Sequence, residues 1–334
     1  MQFVLVFMLC ADIELSKLEA PTIGVFYIPF WTLKDEKPQH WDTVKAWKHP
    51  FPSGGKYDCE DPQVIERQVK AMRDCGIQFI VFDDTNCVLV DNGQIDRRIN
   101  TWFDWMDNQP EKERLGLAIC PGGELNQHKN RESWSIAVNF LYDKYASRPS
   151  YANLDGKPLL CWYVHEDVWT DWDDPRWTVR KTFIFQRAED QRKDKGWGVG
   201  SKCPLPNNEC MSIMPSWHNP GADPHDFVPK NNGEFYKRSW LEVLRHRPRY
   251  VLISSWNEYN EDRVIEDNSA SRDQYIHLTK GYIAAARQKK VDGFTYEIEG
   301  ERGSYLWNKD HWTRRDAPKG AKRTIVVPKN YFTN

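Results

Sequence analysis

Short apolar runs alternate along the chain with segments in which apolar residues recur at helical spacing. Residues 23–27 form the first apolar run. After it, Asp61 and Pro62 suit the N-cap and the first position of a helix, whose apolar stripe continues to Met72. Gly76 suits the end of that helix. Because a strand buried on both faces reads as a continuous apolar run, this stretch predicts a strand followed by a helix.

The same alternation continues through most of the chain. Six further strands are predicted at residues 77–82, 115–120, 158–163, 182–186, 210–214 and 250–254, and an eighth near 293–298. Strands separated by helices form a parallel sheet, and 334 residues suffice for one barrel of about 250 residues with insertions. We therefore predict a single (β/α)₈ TIM-type barrel over residues 21–298. Residues 1–20 would precede it and residues 299–334 would form a C-terminal extension.

Composition narrows the class of protein. The net charge is −2 with acidic and basic residues interspersed, which argues against a nucleic-acid-binding surface. A doubly wound sheet is the structural alternative to the barrel. No Gly-x-Gly-x-x-Gly follows the first strand, so a dinucleotide cofactor has no support. No set of ligands at metal spacing is present either, so we expect neither cofactor nor metal. The apolar run in residues 1–20 lacks a basic n-region and is too short to span a membrane. It could be a degenerate secretion signal, a mis-assigned start or a strand of the fold; as a signal it favours a secreted or periplasmic location over a cytoplasmic one.

The eight cysteines include no Cys-x-x-Cys pair, so a zinc ribbon or a thioredoxin-like site is not indicated. Cys120 and Cys161 fall inside apolar runs and are predicted to be buried thiols. Cys203 and Cys210 flank a proline-containing loop, where a disulfide between them is an open possibility.

Polar and aromatic side chains collect where the predicted strands end. The carboxyl ends of barrel strands carry the active site, so this position is a physical criterion for choosing candidates. The 16 Trp, 14 Tyr and 15 Phe also suit a cleft with flat walls for sugar rings. The side chains expected to bind the substrate are Tyr27, Trp31, Asp83, Asp84, Tyr163, His165, Trp217, His218, Asn257 and Tyr259.

The end of the strand at 250–254 is the most informative of these places. Glu258, Glu261 and Asp262 follow it within a few residues. In a helical turn, positions i and i+3 share a face, with Cβ atoms about 5–6 Å apart. Two carboxyl groups that close do not both ionise freely, which gives an acid beside a base, as glycoside hydrolysis requires. A solvated first helical turn would also place acidic residues here.

The segment from residue 254 to 266, SSWNEYNEDRVIE, resembles the signature of glycoside hydrolase family 99 and its family 71/99-like relatives. Their motif at this place is Trp-Asn-Glu-Trp/Tyr-x-Glu-Gly-x-x-Ile-Glu. Residues 27–31, 49–50, 55–58 and 61–65 are similar to the family's first strand, first loop and first helix. The resemblance extends over roughly residues 21–290. It implies a (β/α)₈ fold, endo-α-mannosidase activity and no metal.

The resemblance also implies roles for individual residues. Glu261 would be the general acid/base, Glu258 would act through the 2-hydroxyl of the substrate with retention of configuration, and Tyr27 would line the sugar subsite. The chain departs from the family where Asp262 replaces the usual Gly and where Asp83 and Asp84 replace Trp. Trp217 and His218 also occupy a loop where the family presents Tyr.

These departures concern the specificity for mannose and leave three hypotheses. The first is a glycosidase, endo- or exo-acting, on an oligosaccharide or polysaccharide. The second is a carbohydrate-binding barrel that has lost activity. The third is an inverting α-1,3-glucanase similar to family 71, which carries a similar pair of acids three residues apart. The sequence does not indicate an oligomeric state.

Overall fold

The computed structural model describes residues 13–34, 40–85, 93–122, 131–163, 172–182, 197, 209–221 and 227–287, together with four strands between residues 295 and 326. The strands are β1 (Ile13–Glu14), β2 (Thr22–Tyr27), β3 (Phe79–Asp84), β4 (Gly116–Pro121), β5 (Ala152–Leu154), β6 (Lys157–Tyr163), β7 (Thr178–Thr182), β8 (Cys210–Ile213), β9 (Trp217–His218), β10 (Phe227–Val228), β11 (Tyr250–Ile253), β12 (Asn257–Glu258), β13 (Arg263–Val264), β14 (Thr295–Ile298), β15 (Ser304–Asn308), β16 (His311–Arg315) and β17 (Arg323–Val326). The α-helices are α1 (His40–Ala46), α2 (Pro62–Cys75), α3 (Gln94–Asp107), α4 (Arg131–Tyr145), α5 (Glu234–His246) and α6 (Gln274–Arg287).

A central parallel sheet organises the described part of the chain. Its strands lie in the order β7, β6, β4, β3, β2, β11, β8, and every neighbouring pair is parallel. β5 adds to β6 in antiparallel orientation and β1 adds to β5. The predicted mixed α/β fold with a parallel sheet is confirmed. Within the described ranges the sheet does not close on itself, so the closed barrel is not established by these pairings.

The sheet order corrects the position expected for the eighth strand. β11 pairs directly with β2, with Tyr250 opposite Thr22, as the last strand of a barrel pairs with the first. β14, at the place where an eighth strand was expected, pairs instead with β17 in antiparallel orientation. The two end strands of the described parallel sheet are therefore β7 and β8. β15 and β16 form a separate antiparallel pair within the predicted C-terminal extension.

The fifth predicted strand, at 182–186, lies further along the chain than the observed β7 and shares only Thr182 with it. The sequence of β7, TVRKT, alternates buried and half-buried positions and contains no apolar run. Its Arg180 is accommodated because the guanidinium lies 2.7 Å from the carboxylate of Glu209. Residues 183–186 lie outside the described residues.

Helix α2 forms as the sequence predicts. The side chain of Asp61 accepts a hydrogen bond from the backbone N–H of Gln63 at 2.8 Å, and Pro62 occupies the first turn. Gly76 ends the helix in the left-handed conformation, with φ of 93°. The buried stripe of α2 includes Ile65 and Met72, which pack between the sheet and its neighbouring helices.

Alternating side chains of the strands enter two separate apolar layers. One layer lies between the sheet and the helices and contains Ile80 and Phe82 of β3. The other, the interior cluster, collects side chains on the opposite face of the sheet; its members on the parallel strands are Phe26, Phe79, Val81, Ala118, Cys120, Leu159, Cys161, Tyr163, Cys210, Tyr250 and Leu252. Trp197 packs in the same cluster. Six of these strands contribute side chains to this one cluster, which indicates that the sheet is strongly curved.

The cysteines of the sheet are buried in this interior cluster. Cys120 and Cys161 are buried free thiols, as predicted. Cys210 is also a buried free thiol, and Cys203, the partner considered for it, lies outside the described residues. Among the described helices, none is long and apolar enough to cross a membrane.

Candidate active site

A short hairpin follows β11 and carries the two glutamates. β12 and β13 are antiparallel, with Glu258 directly opposite Arg263, and the turn between them is one 3₁₀ turn from Tyr259 to Glu261. Asp262 closes the turn with φ of 53°, the left-handed region that favours Gly and tolerates Asp. The substitution of Asp for the family's Gly is therefore compatible with the backbone, and Asp262 also forms an ion pair of 2.6 Å with Lys230.

The amide of Asn257 fixes this hairpin to the end of β2. Its Oδ1 accepts a hydrogen bond from the backbone N–H of Ile28 at 2.8 Å, and its Nδ2 donates to the carbonyl of the same residue at 3.1 Å. The indole of Trp31 donates to the backbone carbonyl of Asn257 at 2.9 Å. Both side chains are fully buried, so they support the site from behind.

Glu258 and Glu261 meet at the guanidinium of Arg263. Its Nη2 donates to a carboxyl oxygen of Glu258 at 2.7 Å and to one of Glu261 at 2.6 Å. Glu258 and Arg263 are both buried, at 7% and 6% exposure, so this interaction takes place at low effective dielectric. The structure thus brings the two predicted carboxyl groups together and adds a cation that the sequence analysis did not identify.

Three further contacts favour the ionised form of Glu261. The indole N–H of Trp217 donates to its Oε2 at 3.0 Å, and the amide of Asn219 donates to its Oε1 at 2.8 Å. Hydrogen bonding from Glu258 acts in the same direction. Burial alone would raise the pKa of Glu261, but Arg263 and these donors outweigh it, and the pKa is lowered.

Glu258 has the opposite shift. Burial raises its pKa well above the ordinary value, and the negative charges of Glu261 and Asp83 add to the effect, against the opposing influence of Arg263. The free site therefore favours a proton on Glu258 and a negative charge on Glu261. Because the groups are in contact, the proton belongs to the pair, which can supply one acid and one base.

Asp83 and Asp84 end β3 on opposite sides of the sheet. Asp83 follows the interior positions of the strand, and burial raises its pKa, while the charges of Arg263 and Glu261 also act on it. Asp84 is turned by strand alternation to the helix-facing side, where its charge acts on Tyr145 of α4. Only Asp83 of the two is therefore placed on the side of the carboxyl pair.

Three of the expected sugar ligands are structural. Tyr27, expected to line the sugar subsite, is fully buried on the helix-facing side of β2, where its hydroxyl donates to Gln68 at 2.8 Å. Trp31 packs against Trp41, with ring centroids 4.3 Å apart. The amide of Asn257 is occupied by the backbone of Ile28, as described above. The structure thus gives each of these three side chains a buried partner within the protein, and a role for any of them in sugar binding stays a prediction.

Tyr259, also expected to contact the substrate, belongs to a buried polar network behind the hairpin. Its hydroxyl donates to Glu266 at 2.9 Å, and the same carboxylate accepts from Tyr57 at 2.9 Å and from Gln68 at 2.8 Å. Asn257 joins the network by donating to the hydroxyl of Tyr57 at 3.1 Å. Five side chains thus form one hydrogen-bonded network behind Glu258 and Glu261, and three of them, Asn257, Tyr259 and Glu266, belong to the family-like segment 254–266.

The remaining expected ligands are His218, Tyr163 and His165. His218, next to Trp217, lies with its Nδ1 3.0 Å from Nε2 of His49. Tyr163 ends β6 within the interior cluster. His165 lies outside the described residues. His49, Asn219 and Arg263 were missed by the sequence analysis because their proximity to the pair depends on loop packing and hairpin register, for which periodicity gives no signal.

Substitution of Trp217 by Phe is expected to raise the pKa of Glu261, because the indole donor that stabilises its charge is lost. Carbon-13 NMR titration of labelled glutamate carboxyls in the free protein measures this directly. Trp105→Phe, at a half-buried tryptophan of α3, is the matched control. An unchanged titration of Glu261 in W217F would show that the indole does not contribute to its charge state.

Within the described ranges no three His, Cys, Asp or Glu side chains come together as a metal site. The groups available for acid–base chemistry at this site are therefore the two carboxyl groups and the guanidinium that bridges them. A buried, asymmetrically charged pair of carboxyl groups at the carboxyl edge of a parallel α/β sheet is the class of site that glycoside hydrolases use.

Comparison with known proteins agrees with that class. The chain is 24% identical to glycoprotein endo-alpha-1,2-mannosidase of Mus musculus and 23% identical to that of Xenopus laevis, with 68% of the chain covered in each case. It spans 62% and 63% of the lengths of these relatives. No protein-family model matches the chain.

The fold is similar to that of the solved GH99 endo-alpha-mannosidase from Bacteroides thetaiotaomicron. The TM-score is 0.61 at 13% sequence identity, covering 81% of this chain and 98% of that one. The predicted resemblance of residues 254–266 to glycoside hydrolase family 99 agrees with these similarities in sequence and in fold.

Proposed function

We propose that this protein is a glycoside hydrolase that cleaves an α-linked, mannose-type glycan, with Glu258 and Glu261 as its catalytic carboxyl groups. The observation that carries the proposal is the bridged pair itself. One guanidinium nitrogen lies within 2.7 Å of both carboxyl groups, and the two groups favour different protonation states. The similarity to named endo-mannosidases supports the substrate class.

The proposed roles follow the family resemblance. Glu261 protonates the leaving oxygen, and Glu258 accepts the proton of the substrate's 2-hydroxyl, whose oxygen then displaces the leaving group. In the free site the proton favours Glu258, so substrate binding must move it to Glu261. The contact between the two carboxyl groups and their shared guanidinium gives the proton a short path.

We propose retention of configuration. Because both carboxyl oxygens lie within 2.7 Å of one nitrogen, they are separated by no more than twice that distance. Inverting enzymes hold their carboxyl groups about 6.5–9.5 Å apart to admit a water molecule. In the 2-hydroxyl route the nucleophile is the substrate's own hydroxyl oxygen and not a carboxylate. This route also requires that both carboxyl groups reach the same sugar ring.

The proposed fold is a closed (β/α)₈ barrel. Seven parallel strands follow one another around the sheet, and the gap lies between β7 and β8. The backbone N–H of Trp197 donates to the carbonyl of Lys181 in β7 at 2.7 Å, and its ring packs 5.0 Å from that of Tyr250. Trp197 is thus positioned as a strand residue would be at the gap.

Digestion of a panel of α-mannosides and α-glucans, followed by proton NMR of the first-formed anomer, tests the proposed function. We expect cleavage of an α-mannoside with initial release of the retained anomer. Initial release of the inverted anomer from an α-1,3-glucan would support the family 71-like hypothesis instead. Binding without any product would support the carbohydrate-binding barrel.

A further inference from the structure

We propose that Arg263 is a positioning residue that holds Glu258 and Glu261 as a single unit, because one terminal nitrogen of its guanidinium bridges the two carboxyl groups. The proposal rests on the proposed function, since it assigns Arg263 a task in the same reaction. It goes beyond that function by naming the group that fixes the geometry of the pair and balances its charge.

The hairpin register explains why Arg263 reaches both carboxyl groups. Arg263 lies directly opposite Glu258 in the β12–β13 pair, and Glu261 lies in the turn between these strands. Its Nη1 donates to the hydroxyl of Ser254 at 3.2 Å, which orients the guanidinium at the end of β11. The side chain is therefore anchored by the fold before any substrate enters.

Because the bridge between Arg263 and the two glutamates is buried, its loss is expected to cost more free energy than the loss of an exposed ion pair. Arg263 is 6% exposed, and removal of one partner from a buried ion pair leaves an uncompensated charge. Asp83 is a third carboxyl group whose charge acts on Arg263. One cation among three acids neutralises only part of their charge, so the cluster favours the retention of a proton.

A cation between the two glutamates also lowers the barrier to exchanging that proton. The guanidinium stabilises whichever carboxyl group is ionised, so a proton can pass from Glu258 to Glu261 without leaving an unpaired charge. Without the guanidinium, either carboxylate would lose a stabilising positive charge, so the pKa of both groups would rise. The pair would then hold its proton to higher pH, and less of it would be in the ionised form that acts as the base.

The test compares Arg263→Met, Arg263→Lys and the control Arg180→Met. Arg180 is also a buried arginine paired with a carboxylate, Glu209, but it lies in β7 outside the carboxyl pair. For R263M we expect kcat to fall about 10- to 100-fold, as for the loss of a charged hydrogen bond, with KM little changed. Both limbs of the pH profile should move to higher pH, because the pKa of each carboxyl group rises.

R263K should recover part of kcat and of the pH profile, since an ammonium group restores the charge without the planar fork. R180M should leave the pH profile unchanged, whatever its effect on stability. A parental kcat and a parental pH profile in R263M would overturn the proposal. Equal losses in R263M and R263K with an unmoved pH profile would assign Arg263 a purely structural role.

Carbon-13 NMR titration of the glutamate carboxyls separates this proposal from the proposed function. We expect the Glu258 and Glu261 signals of R263M to titrate at higher pH than those of the parent, and those of R180M to match the parent. If the parent cleaves no glycan, the proposed function fails while the titration still decides on Arg263. If circular dichroism shows R263M to be unfolded, R263Q takes its place in the titration: Glu258 and Glu261 signals that move to higher pH support the proposal, and signals that match the parent overturn it.

Discussion

Glu258→Gln and Glu261→Gln are each expected to lower turnover by at least about 10²-fold, because positioned proton transfer contributes about 10²–10⁴. Glutamine keeps the shape of each side chain and can still accept from the Nη2 of Arg263, so circular dichroism of both variants should match the parent. Glu242→Gln, at a partly exposed glutamate of α5, is the control and should keep parental turnover.

Substrates with different leaving groups distinguish the roles of the two residues. An activated leaving group, such as fluoride or dinitrophenolate, needs little protonation, so E261Q should recover much of its lost rate on such a substrate. E258Q should not recover, because the 2-hydroxyl still requires a base. Recovery by E258Q and not by E261Q would assign the acid role to Glu258, the residue whose raised pKa favours the protonated form in the free site. Near-parental turnover of the natural glycan by either variant would remove that residue from the mechanism.

Glu266→Leu is expected to lower the free energy of unfolding by about 3 kcal/mol or more. Its carboxylate accepts from Tyr57, Tyr259 and Gln68, and each buried donor left without a partner costs about 1–3 kcal/mol. For a domain of this size the loss corresponds to a decrease in Tm of roughly 6–12 °C. Leucine is of similar size, so the effect comes mainly from the lost acceptor.

Glu266→Gln serves as the matched variant, because its amide oxygen keeps one acceptor in the network and it should lose clearly less stability than E266L. Urea unfolding followed by tryptophan fluorescence measures both. An E266L midpoint equal to that of the parent would mean that water or a rearranged neighbour satisfies the three donors, and that the network does not stabilise the fold.

The local signals in the sequence were sufficient for much of the fold. Asp61, Pro62 and Gly76 mark the ends of α2 through chemistry that acts within a few residues, and the structure places them at those ends. β7 was misplaced because it contains Arg180 and Lys181, whose burial depends on partners distant in sequence. A further strand of the sheet was expected at 293–298, after β11. The sequence gives no sign that β11 already pairs with β2, because that pairing joins distant parts of the chain.

The candidate site was predictable where neighbouring residues carry it. Glu258 and Glu261 stand out by their spacing, and Trp217 follows a predicted strand. Tyr27 was assigned to the substrate from the family resemblance, and Tyr259 because it follows the end of a predicted strand. Neither signal shows the direction in which the side chain points. Arg263 reaches the carboxyl pair because of the register of the β12–β13 hairpin, whose strands have two residues each. The sequence does not specify that register.

The attachment of Asn257 to Ile28 joins positions 229 apart in the chain. On the same side of the sheet, β11 pairs with β2, with Tyr250 opposite Thr22. Closing so long a loop is among the slowest kinds of contact to form during folding. During synthesis, β2 emerges from the ribosome long before β11 and the β12–β13 hairpin. Its contacts with them therefore form only after the hairpin has also emerged. A nascent chain is thus expected to lack the assembled carboxyl pair until nearly all of its sheet has been made.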